Sequence, residues 1–336
     1  MDSLTHIAVG ACIGELVAGK RLGKKAMVIG ALAQSIPDAD FVTSWWMTVP
    51  SDLLAHRGFT HSILFLLLIS PILGWCSQKV FPKIGIDRLG WAFIWGIQIF
   101  MHLFLDIFNV YGTGLFEPFS HYRVSLNTFF VLDPLFSLWP IMALAALSIL
   151  KSTYAGRSKI IVAALGMSGL YMVNSVYHKL YIDRAVTKSF ELQHLHVERY
   201  FTTPTALNNI LWYIVAQTDS GYYVGYRSVL DRQPLINYRS VAAQHELLNG
   251  IADTTAIGQL KRFSQGYYVA SKYNDTLVFN DLRFGEMTAG LQPDPRFSFY
   301  YYLQPRLSND VIIQRGRFCG WDRHVVAAFV QRIMGK

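Results

Sequence analysis

The chain opens as blocks of apolar residues separated by short polar joints. Between Gly58 and His178 there are four stretches almost free of charge: His61 to Gln78, Leu89 to Phe108, Pro134 to Leu150 (with Phe129 to Leu132 leading into it) and Ile160 to His178. Crossing a bilayer takes about 20 apolar residues, whereas 10–14 describe a buried or re-entrant helix, so these four read as spans. Two earlier apolar segments, Ser3 to Gly14 and Ala26 to Ile36, are shorter and are joined by the basic run GKRLGKK. They read as a helical hairpin packed within the bundle. After Lys179 polar and charged residues become frequent. LWYIVAQ and YYVGYRSVL flank TDSG, a hairpin turn, and GYYVASKYNDTLVFNDLRF repeats the pattern around KYND. RFSFYYYLQP and DVIIQRGRF read as further strands. VAAQHELLNGIADTTAIGQLKRF reads as a helix with Asp253 as a cap, and Asp322 to Met334 as a closing amphipathic helix. The expected architecture is an α-helical membrane bundle of roughly four to six transmembrane or re-entrant helices, residues 1–182, followed by a soluble α+β domain, residues 183–336.

Composition supports the membrane half. Only 15% of the 336 residues are charged, against about 25% in a soluble protein. The net charge of +8 alone would admit a nucleic-acid partner, but its placement argues against one. Gly19 to Lys25 carries four Lys or Arg residues, and Lys79 to Arg88 and Lys151 to Lys159 carry three each. The alternate loops, Pro37 to Thr60 and Asn109 to Ser125, carry only Arg57 and Arg123. With alternating helix directions the three basic loops share one face, which the positive-inside rule makes cytoplasmic. The bare loops and the C-terminal half are then extracytoplasmic. Met1 to His6 has no basic n-region, so no secretory leader is expected there. Cys12, Cys76 and Cys319 form no CxxC pair and read as buried thiols.

The bare loops hold the candidate chemistry. His6, Asp38, Asp40, His56, His61, His102 and Asp106 all fall at the extracytoplasmic ends of the helices. His102 and Asp106, four residues apart, project from one side of a helix. Imidazole and carboxylate together suit zinc, manganese or iron, and ionisable groups within apolar segments are costly and mark functional sites. Singly, each group has an ordinary reading: PDAD as a turn or cap, HRGFTHS as an interfacial segment, His102 with Asp106 as an intrahelical hydrogen bond. Seven ligand-type residues at one end of the bundle read as a metal site. Arg57 and Arg123 can clamp a phosphate or carboxylate, anchor lipid headgroups, or pair with Asp52 or Glu117. Asn109, Tyr111, Thr113 and Ser120 can orient substrate or ligands. Asp133, before Pro134, reads first as a cap, His178 as a hydrogen-bonded packing residue, and His194 and His196 as surface residues alternating on a strand.

MDSLTH, PDAD, HRGFTHS, HLFLD and NVYGTGLFEPFS, with Arg123 and FVLDP after them, resemble the signature of the membrane-bound metal-dependent hydrolase family that includes the LexA-binding protein YdjM. TALNNILWYIVAQTDSGYYVGY resembles the tail of longer members. The resemblance implies an inner-membrane location and metal-dependent hydrolase activity. The order His, Asp, His, then HxxxD is also similar to the zinc-dependent phospholipase C and single-strand nuclease group, helical phosphoesterases with a trinuclear zinc site. Carried over residue by residue, the ligands are His6, Asp38, His56, His61, His102 and Asp106, for roughly one to three zinc or manganese ions. Asp40 then takes the proton from the attacking water, and Arg57 and Arg123 hold the substrate. A site at the bilayer edge points to a phospholipid or another lipid-linked ester. Two other readings stand beside this one. A metal-handling transporter would place its ligands nearer the midplane. A scaffold with a structural metal would bind a protein partner through its C-terminal half. The family's LexA association favours the scaffold, although LexA is cytoplasmic and the basic loops put that half outside.

Overall fold

The structure, a computed structural model, describes residues 1–249, 251, 254–273, 276–291, 296–303 and 321–336. It divides into two units. Met1–Val42 and Ala55–Ser175 make the first, and Thr43–Leu54 and Val176–Lys336 make the second.

The first unit is helical. Helix α1 (Ser3–Leu22) starts at Asp2, whose carboxylate accepts from Thr5 N at 3.0 Å. Its GACIG run places Gly10 and Gly14 one turn apart against α2 (Lys25–Ser35). A Cβ on Gly10 would strike the Gly30 carbonyl, and one on Gly14 the Ala26 carbonyl. The two backbones therefore touch, as small-residue crossings in membranes allow. The basic run does not form the joint as the sequence led us to expect. Lys20 and Arg21 extend α1, and the turn is reduced to Gly23, at φ 56°, and Lys24. Helix α3 (Val49–Ala55) is short, follows a 3-10 turn, Pro37–Trp45, and belongs to the second unit up to Leu54.

Helices α4 (Ile63–Val80) and α5 (Arg88–Asp106) form an antiparallel pair. Ser62 caps α4, Asp87 caps α5, and Trp95 donates to Ser77 between them at 2.8 Å. Helix α6 (Pro134–Ile149) begins with proline at its first position, where the missing N–H costs nothing. Its cap, Asp133, also accepts from the Tyr171 hydroxyl at 2.8 Å. Helix α7 (Arg157–Leu192) runs 36 residues and belongs to both units. Cys12, Met27, Leu147 and Ile161 pack together in the core of the first unit. At one end of the bundle the buried Arg157 pairs with Glu15 at 2.6 Å and donates to the carbonyls closing α6.

Among the described residues three helices are long and apolar enough to span a membrane: α4, α5 and α7. The expected span at Pro134 to Leu150 is a helix of 16 residues, because Asp133 and Pro134 start it abruptly and Phe129 to Leu132 lie outside it. The expected span Ile160 to His178 lies within the much longer α7.

The second unit is built on antiparallel sheets. Strands β1 (Arg199–Pro204), β2 (Leu211–Thr218), β3 (Gly221–Ser228) and β4 (Tyr238–Ala242) form one sheet in sequence order. Thr218 pairs with Gly221, so the TDSG turn closes on two residues, as the sequence indicates. Ile182, Val186 and Phe190 of α7 pack on Trp212, Ile214 and Ala216. Strands β5 (Tyr268–Tyr273), β6 (Thr276–Glu286) and β7 (Phe297–Leu303) form the other sheet. Helices α8 (Thr254–Phe263) and α9 (Arg323–Ile333) complete the unit. Gln259 of α8 donates to Ser51 at 3.0 Å, and Thr43 donates to Asp52 at 2.7 Å.

The stretch 241–263 is not one helix: its start pairs with β3, and among its described residues only Thr254–Phe263 are α-helical. The Asp253 cap, the middle of KYND, the strand DVIIQRGRF and Cys319 lie outside the described residues. His194 and His196 are exposed, as expected, but lie between α7 and β1, His194 in a turn and His196 in the irregular segment after it. His194 takes φ 52°, and Leu195 N reaches back to Phe190 O at 3.0 Å, which closes α7 in place of a strand.

Candidate metal centre

Four side chains from three separate elements converge in the first unit. Asp38 comes from the 3-10 turn after α2, His61 from a second 3-10 turn (Phe59–His61), and His102 and Asp106 from the last turns of α5. One ligand atom from each lies within 4.8 Å of all the others. The two imidazoles are held by their outer nitrogens. His102 Nδ1 donates to the Gln34 carbonyl at 2.6 Å, while His61 Nδ1 faces Thr60 Oγ1 at 3.1 Å and Asp40 Oδ2 at 3.4 Å. Both Nε2 atoms therefore point inward, 3.0 Å apart. His61 Nε2 lies 3.4 Å from Asp38 and 3.5 Å from Asp106, and His102 Nε2 lies 3.5 and 3.6 Å from the same carboxylates. Four ligands around a tetrahedral ion, each about 2.0–2.1 Å from it, stand ~3.3 Å from one another. The chemistry of the donor set and the five spacings that involve the two imidazoles fit a small divalent cation.

The remaining candidates surround this group. The His6 ring stacks on His102 at 3.8 Å, with Nε2 3.1 Å from Asp106 Oδ1 and Nδ1 3.1 Å from Gln34 Oε1. The Met1 amino group also pairs with Asp106. His56 stands apart from the four: it is partly exposed and bonds through Nδ1 to Asp40 Oδ1 at 2.8 Å. Asp40 lies behind His61, on its Nδ1 side, and accepts from Arg57 N and Thr60 Oγ1, each at 2.9 Å. Arg57 is buried with φ 56°, a conformation that costs a non-glycine residue about 1–2 kcal/mol. It is held there by Asp106 at 3.0 Å and Asn109 Oδ1 at 2.7 Å. Arg123 donates to the carbonyls of His56 and Gly112. Both guanidinium groups face the Tyr111 ring. Asp52 accepts from Thr43, and Glu117 bonds to His121. Thr113 is buried and pairs through its backbone with Val124, while Ser120 is exposed. His178 bonds to the Asn209 carbonyl.

Burial alone would raise the Asp38 pKa, but hydrogen bonds from His102 and His61 outweigh it and hold the carboxyl well below its usual range. Asp40 is likewise held low, against burial, by His56 and His61. For His61, burial favours the neutral ring, but Asp106, Asp38 and Asp40 together raise it to about 9. Two contributors were not picked out from the sequence. Gln34 is a buried polar residue in an otherwise apolar helix, the signal that marks intramembrane function. Thr60 lies inside HRGFTHS, where the flanking histidines dominate the reading.

Apolar helices that carry such a cluster at their ends define an integral membrane protein with a candidate metal site. A family model described as the YdjM inner membrane protein matches residues 1–182, and the chain belongs to that family. It is similar to the uncharacterized protein YfhP of Bacillus subtilis, 31% identical over 67% of this chain and 68% of the relative. It is also similar to the inner membrane protein YbcI of Escherichia coli, 24% identical over 48% of this chain and 87% of the relative. No solved structure matches.

Proposed function

We propose that this inner-membrane protein is a metal-dependent hydrolase acting on a lipid or phosphoester at the membrane surface. The observation that carries the reading is the pair of inward-facing Nε2 atoms on His61 and His102, each 3.4–3.6 Å from the carboxylates of Asp38 and Asp106. Zinc is the ion the spacing favours, with manganese as the alternative. When bound, such an ion polarises the scissile group and lowers the pKa of a water to about 7.

The chain's own residues do the rest. Gln34 and Asp40 fix the tautomer and orientation of the two imidazoles through their outer nitrogens. His6, bonded to the far oxygen of Asp106, would hold that carboxylate in place for the ion. Asp40 and the half-exposed His56 form a linked pair next to His61 that can accept a proton. Arg57 offsets the buried charge of Asp106, and Arg123 ties the His56 loop to the Gly112 loop at the mouth of the site.

We take residues 1–182 as the membrane domain and 183–336 as a soluble domain, with the centre and the soluble domain both extracytoplasmic. Two features support that sidedness: the basic joints alternate with the site loops, and Thr43–Leu54, between Asp40 and His56, belongs to the same unit as Val176–Lys336. A non-catalytic scaffold with a structural metal, binding a protein partner through the C-terminal domain, is the second reading. The commitment of Arg57 and Arg123 to backbone and side-chain partners favours it.

The deciding experiment is elemental analysis and hydrolysis of phosphodiester and lipid-ester probes by the full chain in detergent, beside His61→Ala and Asp106→Ala. Stoichiometric metal and turnover, both lost in the variants, support the hydrolase. Metal without turnover moves the protein to the scaffold reading, and absence of metal from the wild-type protein removes both.

A further inference from the structure

A second feature lies on the outer face of the two helices that frame the centre. Leu66, Leu67 and Pro71 of α4 and Phe93, Ile97 and Phe100 of α5 line a groove of about 370 Å³, with Ser70 and Gly96 at its floor. Ser70 turns its hydroxyl back onto the Leu66 carbonyl at 2.7 Å and so presents little polarity to the groove. Gly96 has no side chain to fill the space. A Cβ there would meet Ser70 Oγ at 3.4 Å, so the floor can carry a small residue and a larger one would project outward.

The surrounding surface is what a bilayer covers. Only 17% of the α4 span is buried, and Leu67, Leu68, Ile72 and Phe93 are all more than half exposed. The groove is continuous with this lipid-facing surface. Its position along α5 is informative. At 1.5 Å per residue, Phe100 lies about 3 Å and Phe93 about 14 Å from the level of His102 along the helix axis. A leaflet contributes about half of the 30 Å hydrocarbon core. The groove therefore runs from just beneath the metal centre to about the bilayer midplane. A partner transmembrane helix would need a groove along the whole span, whereas a chain confined to one leaflet needs only this length.

We propose that the groove holds one acyl chain of a membrane glycerolipid, setting its headgroup at the level of the metal centre. In naming a glycerolipid as substrate the inference rests on the hydrolase reading, but occupancy of the groove does not.

The test uses the full chain in nanodiscs of phosphatidylethanolamine and phosphatidylglycerol that contain a phospholipid with a photoactivatable diazirine in mid-chain. Cross-linked peptides are mapped in wild type, Gly96→Leu and the surface substitution Leu67→Trp, with metal content measured in each sample. Labelling of α4 and α5 at the groove is expected to exceed by roughly tenfold that at Val162, Leu170 and Val173, exposed residues of α7. Both variants should drop to the α7 level with metal content retained. Equal labelling at the two faces, or labelling unchanged in both variants, would overturn the proposal. Because no turnover is read, labelling stands or falls by itself; groove labelling combined with no turnover in the hydrolysis experiment would sink the hydrolase reading alone.

Discussion

At the scale of single residues, the centre depends on groups that do not face it. Asp40 approaches the Nδ1 side of His61 and also accepts from His56, Arg57 and Thr60. Removing its charge should leave the first ligands in place but loosen the ring they depend on. Asp40→Asn is expected to weaken metal affinity by roughly 10–100-fold with little change in melting temperature. Competition with a chelator measures this, and unchanged affinity would show that Asp40 does not orient His61. Protons compete for the same site. Asp106, Asp38 and Asp40 raise His61 to about 9 against its burial, so a binding ion must displace a proton at neutral pH. Affinity should fall about tenfold per unit as pH drops below 9 and level off above it. Calorimetry in buffers of different ionisation enthalpy should show about one proton released per ion at pH 7. The ligand types were legible in the sequence because histidine and aspartate are rare in apolar segments. Their gathering at one end of the helices was legible too, from the alternation of the loops, but spacing cannot tell His61, which faces the cluster, from His56, which stands apart on Asp40.

At the scale of elements, the centre is assembled by close helix contact. The Gly10 and Gly14 positions let α1 lie on α2, which brings His6 to Gln34 and, through the Gln34 carbonyl, fixes His102. Gly14→Leu is expected to destabilise the protein by about 1–3 kcal/mol through overpacking and to reduce bound metal even though no ligand is changed. Thermal unfolding and elemental analysis of the same sample check both effects, and full metal content would separate the hairpin from the site. The strongly apolar α4 and α5 and the β2–β3 hairpin were readable from pattern and turn chemistry. The end of α1 was not, because Lys20 and Arg21 look like a joint yet carry their charges on a continuing helix. The 241–263 stretch was misread because its start pairs with β3, a partner distant in sequence that local periodicity cannot reveal.

At the scale of the molecule, the two units are interleaved. The chain leaves the first after Val42, contributes Thr43–Leu54 to the second and returns at Ala55, all between Asp40 and His56. A fragment of residues 1–182, the stretch matched by the family model, would leave that segment without its Gln259 partner. Limited proteolysis should then cut between 43 and 54 roughly tenfold faster in the fragment than in the full chain. Equal rates would mean that the excursion is held by the first unit alone.

The excursion also sets an order of events during synthesis. Ser51 and its partner Gln259 are 208 positions apart, so at 5–20 residues per second the ribosome needs on the order of 10–40 s to supply the second after the first. Until then the Ser51–Gln259 hydrogen bond cannot form. On the metal-site reading, the finished site accordingly forms late in synthesis, after α7 has been made.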